Sequence, residues 1–237
     1  MVGREKAATA DRGDGAVADA GVELRLVSVN VSRPRVIGRL RNGEEVVSGI
    51  GKRPVAAEFL WLDRLNLEGD GQADLAVHGG PDKAVYAYPT EHLPKWNGEL
   101  ETGFGPGLFG ENLSVAGMLE DEARIGDVWA WGEARLQVTQ PRSPCYKLAL
   151  ASGRPDLGKR MVGNGRTGWY LRVLEPGRVP VAGPIRVVER HPAGVTVLRA
   201  HRALFDDVAS SELEAVAGVD ALAEAWRGWA LERLDRG

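Results

Sequence analysis

The sequence predicts a mainly β, α+β fold: a barrel-like core with short helices, followed by a small helical appendage. Short β-rich runs recur up to about residue 190, for example at residues 85–88, 128–131 and 169–174. Gly, Pro, Asn and Asp separate these runs, and loops connect them more often than long helices do. This spacing favours an antiparallel barrel over a doubly wound parallel sheet.

Residues 23–31 alternate at Leu24 and Leu26 and then change phase at Val27, which predicts a strand with a bulge. Residues 55–62 and 64–67 are expected to be extended. β-branched and aromatic residues predict further strands at 85–88, 128–131, 136–139, 169–174 and 185–188. Short helices are expected at 94–100, after Ser143 and over 155–161.

The pattern becomes helical after His191-Pro192. Ser211 and Glu214 have capping-box spacing, and Asp220 is predicted to cap a last helix that carries Trp226 and Trp229 on one face. We expect a disordered tail over 1–21, a β-barrel domain over 22–192 and a three-helix domain over 193–237. The last segment is acidic, so we expect it to pack against the barrel or a second subunit and not to bind DNA.

Composition excludes several function classes. The formal net charge of the 237 residues is −3, so no overall positive field draws the chain to nucleic acid or to an acidic membrane. No apolar run approaches the roughly 20 residues of a membrane-spanning helix, and the start lacks the apolar block of a secretory signal. A single cysteine is consistent with a reducing compartment, and a cytoplasmic location is expected.

Three other site types are disfavoured. Residues 105–110 and 163–168 both fit G-x-G-x-x-G, but neither follows a strand and opens a helix, as a dinucleotide site requires. The four histidines lack the spacing of zinc ligands, and no G-x-S-x-G nucleophile elbow is present.

The single cysteine, Cys145, is the most informative residue of the chain. Ser143 suits an N-cap and Pro144 the first helical position, which predicts that Cys145 lies in the first turn of a helix. Backbone N–H groups there, together with Arg142 and Lys147, favour a thiolate, the form that attacks electrophiles and ligates metals. The alternative is a buried cysteine that serves as a small hydrophobic residue.

Two further loops carry specific polar groups. Residues 67–83 and 109–113 place glycines beside His78, Lys83, Glu111 and Asn112. Glycine-rich turns let a ligand approach the backbone while a few side chains orient it. The alternative is that these segments are tight turns with surface charges.

Together these segments resemble the MOSC domain, named for the C-terminal domain of molybdenum-cofactor sulfurase, and within it the YiiM-like proteins. The resemblance runs from about residue 25 to 190, and the helical end resembles the three-helix domain of YiiM-like chains. The motifs that carry it are residues 66–74, 77–84, 88–92, 109–113, 125–127 and 137–148.

The resemblance implies a β-barrel that binds the molybdenum cofactor (molybdopterin), with Cys145 as the protein ligand to the metal. A soft thiolate suits molybdenum, and Arg or Lys side chains and loop N–H groups suit the phosphate of the cofactor. The residues predicted to bind the cofactor are Lys52, Arg53, Lys83, Gly110, Glu111, Arg142 and Ser143. Any one of the cations could instead be a solvated surface charge.

The activity implied is reduction of N-hydroxylated compounds, such as N-hydroxylated purine bases, with electrons from a separate donor protein. Asn112 is predicted to hydrogen-bond a planar heterocycle and His78 to donate a proton, although each could instead only stabilise its turn. Two alternatives stay open: a non-catalytic cofactor carrier or sulfur-transfer module, and a cofactor-free cysteine hydrolase that uses Cys145 with His78 or His92. The sequence does not decide whether the protein is a homodimer.

Overall fold

The computed structural model describes residues 21–71 and 79–236, so residues 1–20 of the predicted N-terminal tail and His78 lie outside the described residues. The described part contains twelve strands and six α-helices. The strands are β1 Glu23–Val31, β2 Arg35–Arg39, β3 Glu45–Ser48, β4 Arg53–Pro54, β5 Phe59–Leu62, β6 Val85–Pro89, β7 Leu113–Ala116, β8 Val128–Trp131, β9 Ala134–Pro141, β10 Trp169–Glu175, β11 Gly177–Pro180 and β12 Gly183–Glu189. The helices are α1 His92–Leu100, α2 Tyr146–Ser152, α3 Leu157–Asn164, α4 Val197–Phe205, α5 Ser210–Ala217 and α6 Glu224–Leu234.

Seven strands close into a barrel in the order β1-β12-β8-β9-β10-β6-β7 and back to β1. Every pair in this ring is antiparallel except β6 and β7, which run parallel. The predicted fold class, a mainly β barrel with short helices and a helical C-terminal segment, is confirmed.

Strand β1 shows how the sequence pattern produces a barrel strand. Leu24 and Leu26 are buried, and the register against β7 shifts between Leu26 and Ser28. This irregularity is the bulge that the phase change predicted, since an extra residue moves the following side chains to the other face. The barrel interior is filled by large side chains, including Trp129 and Trp169, whose ring centroids lie 5.8 Å apart.

Some strands differ from the prediction. Only Phe59–Leu62 of the stretch 55–67 forms a strand, and Leu67 contributes one isolated bridge to Leu62. Strands β2, β3, β4, β7 and β11 were not predicted. Each has two to five residues, and β2 and β3 are largely polar or glycine-interrupted, so the partner strand and not the local sequence determines their extended conformation.

The three C-terminal helices pack on the barrel, as predicted. Val197, Leu213 and Trp226 belong to the same apolar cluster as Trp129 of the barrel. Two hydrogen bonds tie this segment to barrel strands: Ala223 N donates to Thr139 O at 3.1 Å, and the Arg172 guanidinium donates to Ala221 O at 3.0 Å.

Both predicted helix caps in this segment are wrong. Helix α5 already begins at Ser210 and has no side-chain cap, so Ser211 lies inside the helix. Helix α6 begins at Glu224, because residues 220–223 are still non-helical. Asp220 instead lies 2.9 Å from the ring nitrogen Nε2 of His191 and so joins the helices to the end of the barrel. Tertiary contacts therefore overrode the local capping pattern.

A second apolar cluster lies at one end of the barrel and supports the loops there. It includes Tyr86 and Tyr88 of β6, Trp96 of α1, Leu148 of α2 and Met161 of α3. Trp96 donates from Nε1 to the Tyr88 hydroxyl at 2.7 Å, a buried bond that fixes α1 against β6. Across the described ranges, no helix has the length and apolar character needed to cross a membrane.

Candidate functional site

The Cys145 loop, the Lys83 turn and the loop that precedes β7 converge on one cavity at this end of the barrel. Cys145, Lys83 and Gly110 all line it, although they lie far apart in the sequence. The volume of the cavity is about 100 Å³, which has room for a phosphate-sized group, so any larger ligand would extend beyond it.

Cys145 lies immediately before helix α2 rather than in its first turn. Its backbone is extended, with φ −116° and ψ 168°, and its carbonyl accepts the N–H of Leu148 at 3.0 Å. Cys145 is therefore the N-cap residue, and Ser143, which is exposed, does not cap the helix. The prediction was two residues early because Pro144 suits an extended approach as well as a first helical turn.

Arg142 is the most unusual charge of the cavity. Its residue is only 5% exposed, and its guanidinium carbon lies 5.3 Å from the centroid of the Tyr86 ring. The guanidinium also bonds the hydroxyl of Tyr170; burial raises the pKa of that hydroxyl and Arg142 acts in the opposite direction. No carboxylate of the described residues forms an ion pair with Arg142. The buried Glu111 carboxyl feels this charge, since Arg142 acts to lower its pKa, but no ion pair occupies the guanidinium, whose remaining N–H groups are therefore suited to an anionic ligand.

A buried network on the opposite wall is internally satisfied. Lys52 forms an ion pair with Asp70, whose other oxygen accepts the backbone N–H of Ser32 at 2.9 Å. Burial lowers the pKa of Lys52, against the raising effect of Asp70. Both Lys52 and Arg142 line the cavity, but only Lys52 forms an ion pair with a described carboxylate.

Asn112 lines the cavity but has its amide occupied. Its Nδ2 donates to Asp70 at 2.8 Å and to Asn30 O at 3.3 Å, and its Oδ1 accepts the Tyr86 backbone N–H at 3.2 Å. Both amide hydrogens thus have acceptors within the protein. The geometry favours the alternative role, in which Asn112 stabilises the loops, over hydrogen bonding to a heterocycle.

Glu111 lies behind the cavity wall. It is 1% exposed, and its Oε1 accepts the backbone N–H of Gly107 at 2.6 Å and the Ser114 hydroxyl at 2.9 Å. Burial raises the pKa of Glu111 to about 6, while these hydrogen bonds and the charge of Arg142 act in the lowering direction. It braces a loop whose Gly107 has φ +87° and lies so close to Lys52 that a Cβ would be 2.2 Å from the Lys52 carbonyl oxygen. Glu111 is thus outside the cavity lining, contrary to its predicted direct role.

The remaining predicted residues divide into two groups. Lys83, Gly110 and Ser143 line the cavity, and burial lowers the pKa of Lys83. Arg53 is exposed on β4 and does not line the cavity, because β4 pairs with the end of β1 and turns its side chain away.

His92, one of the two candidate bases of the hydrolase alternative, does not line the cavity. His92 of α1 is buried, and its Nε2 lies 2.8 Å from the Glu120 carboxylate. It is not part of the cavity lining, so it is not positioned beside Cys145.

Sequence reasoning missed several lining residues. Tyr86 and Tyr170 come from neighbouring strands, Asp70 from the loop after β5, and residues 48–50 from the end of the β2–β3 hairpin. Asp70 carried a detectable signal, since it lies between two glycines. Gly49 had none: a Cβ there would lie 2.5 Å from the Gly71 carbonyl oxygen, a contact that only the fold creates.

The donor set fits a cofactor that carries an anionic group and is held by a soft ligand. Arg142, Lys83 and Lys147 face the same cavity as the Cys145 thiol. Within the described ranges, no three or more His, Cys, Asp or Glu residues cluster as a metal site. A metal at Cys145 would therefore take most of its ligands from a cofactor, and the cations would hold the phosphate.

Two family models match the chain. The MOSC domain matches residues 74–186, and the YiiM-like 3-alpha helix domain matches residues 195–237. The first includes the Cys145 loop, and the second includes all three C-terminal helices.

Similar proteins span most of the chain. The uncharacterized protein YflK of Bacillus subtilis is 41% identical over 212 residues, covering 89% of this chain and 95% of YflK. Protein YiiM of Escherichia coli is 41% identical over 186 residues, covering 76% and 81% of the two chains. A protein of Gibberella moniliformis named reductase is 32% identical over 174 residues, covering 70% of this chain but only 31% of its own length.

The fold has a solved counterpart. The crystal structure of YiiM from Geobacillus stearothermophilus superposes with a TM-score of 0.75 at 32% sequence identity, covering 89% of this chain and 99% of that one.

Proposed function

The chain belongs to the MOSC-domain family and its YiiM-like group, and on that premise we propose that it is a molybdenum-cofactor-dependent reductase of N-hydroxylated compounds. N-hydroxylated purine bases are the proposed substrates. A relative that carries the name reductase supports the reaction class.

The observation that carries this proposal is the pairing of Cys145 with Arg142. One cavity presents a thiol and a buried guanidinium that forms no ion pair with a carboxylate of the described residues. A cofactor that carries both a metal and a phosphate would use the thiol as a metal ligand and the guanidinium as a phosphate ligand. A cysteine hydrolase needs a base beside the thiol, and no histidine of the described residues lines this cavity.

Within this site the residues have distinct tasks. Arg142, with Lys83, would hold the phosphate of the cofactor, and Cys145 would ligate the metal; Lys52, which was also predicted to bind the cofactor, is paired with Asp70. When bound, the cofactor would supply two electrons from the Mo(IV)/Mo(VI) couple. The reduction converts N–OH to N–H and water, consuming two electrons and two protons.

Protons must reach the departing oxygen from cavity residues. His78, four residues before Asp82, remains the sequence-based candidate and lies outside the described residues.

The electrons need an external source. The chain has one cysteine, too few for an iron–sulfur cluster, and shows no flavin or haem motif. We propose that a separate donor protein reduces the cofactor.

The test uses protein produced in a host that makes the cofactor. We expect about one molybdenum per chain, pterin fluorescence and anaerobic reduction of an N-hydroxylated purine by a reduced dye. Cys145→Ser should abolish turnover, because a hydroxyl is a hard and poorly ionised ligand. Tyr146→Phe is the matched control, since it removes only the hydroxyl of an exposed neighbour that does not line the cavity.

Two results would contradict the proposal. Full activity of the Cys145→Ser protein would remove the metal-ligand role. Cofactor-loaded wild type that reduces no N-hydroxylated substrate would instead favour the carrier or sulfur-transfer function.

A further inference from the structure

A second, larger depression adjoins the cavity. It is a groove of about 650 Å³ lined by Leu204 and Phe205 of α4, Trp229, Arg233 and Arg236 at the end of the chain, and Ser143. Ser143 also lines the Cys145 cavity, so the groove and the cavity are neighbours that share this residue. The volume lies within the range of about 300–1,000 Å³ that small-ligand sites occupy.

The groove exposes two aromatic faces. Phe205 is 40% and Trp229 is 45% exposed, which is high for residues that pack against a core. Both lean on the buried Trp226: its ring centroid lies 6.3 Å from that of Phe205 and 5.8 Å from that of Trp229. The two rings therefore share a fixed support while keeping a face open to the groove.

Arg233 holds the two walls together. Its guanidinium donates to the carbonyl oxygens of Leu204, at 2.6 Å, and of Asp206. These carbonyls end α4, and Arg233 belongs to α6, so this side chain clamps one helix to the other. A wall that is fixed before binding loses little entropy when a flat ligand stacks on it.

The two arginines that line the groove already have partners within the protein. Arg233 bonds the carbonyls at the end of α4, and Arg236 bonds Glu232. The proposed attachments of the cofactor, the Cys145 thiol and the cations Arg142 and Lys83, line the cavity and not the groove. A substrate must bring its N–OH group to the Cys145 side while the rest of the molecule lies outside the cofactor, and the groove beside Ser143 offers two exposed aromatic rings there.

We propose that this groove is the substrate subsite, in which Phe205 and Trp229 stack against the planar ring system of an N-hydroxylated heterocycle whose N–OH group points past Ser143 to Cys145. The inference rests on the proposed function and deepens it. It assigns the C-terminal helices a role in specificity: ring-bearing substrates use them, and small N-hydroxylated compounds without a ring do not.

The experiment compares two substrates of the cofactor-loaded protein. Trp229→Ala should raise KM about tenfold for an N-hydroxylated purine, since loss of one aromatic stacking partner has effects of this size. KM for N-hydroxyurea, which has no ring, should stay within about twofold of the wild-type value. Phe205→Ala is the second variant, and Trp61→Ala is the matched control, since Trp61 is 51% exposed on β5 and lines neither the groove nor the cavity.

A binding measurement separates this inference from the proposed function. Calorimetry of adenine, the product heterocycle, needs no turnover; Trp229→Ala should weaken binding about tenfold and Trp61→Ala should not. If wild type binds adenine in this way but reduces no N-hydroxylated substrate, the proposed reaction fails and the subsite stands.

Three results would overturn the subsite. An equal loss for both substrates would mean that Trp229 only supports the fold. A lower molybdenum content in the Trp229→Ala protein would assign the groove to the cofactor. Unchanged KM values with slower reduction by a donor protein would make the groove a docking surface for that protein.

Discussion

Neutralising Glu111 should change how stability depends on pH. The carboxyl is buried, and burial raises its pKa from 4.5 to about 6. The folded state therefore binds this proton more tightly than the unfolded chain does. The contribution to stability is complete below pH 4.5 and is lost as the pH rises through about 6. A shift of about 1.5 units corresponds to about 2 kcal/mol, at about 1.36 kcal/mol per unit.

Glu111→Gln removes the titration while its amide oxygen still accepts from Gly107 N and the Ser114 hydroxyl. We expect the free energy of unfolding of the variant, minus that of wild type, to rise by about 2 kcal/mol between about pH 4 and pH 7.5. The cost of placing an amide NH₂ where Oε2 has no partner affects every pH equally, so it does not enter this change.

Urea unfolding at five pH values measures this difference. Glu214→Gln, on the exposed face of α5, is the control and is measured at the same pH values. If the difference in unfolding free energy between Glu111→Gln and wild type did not change with pH, burial would not favour the protonated Glu111 carboxyl and the prediction would be wrong.

Three further perturbations have defined outcomes. Asp70→Ala leaves Lys52 as a buried unpaired charge and should lower the free energy of unfolding by about 3–5 kcal/mol, measured by urea unfolding. Gly107→Ala should lower the melting temperature and the yield of folded protein, because φ is +87° and the new Cβ would overlap a backbone oxygen. Arg142→Met should lower the molybdenum content about tenfold or more, measured by metal analysis, because it removes the guanidinium proposed to hold the phosphate of the cofactor; the Lys159→Gln change on the exposed face of α3 is its control.

The strands with strong local patterns could be predicted from the sequence. Runs such as Val128–Trp131 combine β-branched and aromatic residues between turn residues, so their extended conformation follows from local chemistry. The bulge in β1 could be predicted too, because a phase change in the apolar pattern is a local property. In contrast, Leu113–Ala116 becomes β7 through its parallel pairing with β6, which a single segment does not reveal.

The candidate site divides in the same way. Cys145, Arg142 and Lys83 could be chosen from the sequence, because their residue types and glycine-rich surroundings are local signals. The states of Asn112 and Glu111 could not, since they depend on partners such as Asp70, Asn30 and Gly107. The sequence shows that an amide or a carboxyl is present, but it does not show whether hydrogen bonds within the protein already use that group.

The β barrel, the helices that follow it and the cations beside the one thiol could all be predicted from the amino-acid sequence. The burial of Arg142 without an ion pair to a described carboxylate, and the groove that Trp229 and Ser143 both line, became visible only in the folded structure. Local conformation depends on residue types at a few neighbouring positions, so it can be predicted from short segments. Burial, charge compensation and cavity shape instead arise from contacts between segments that are distant along the chain.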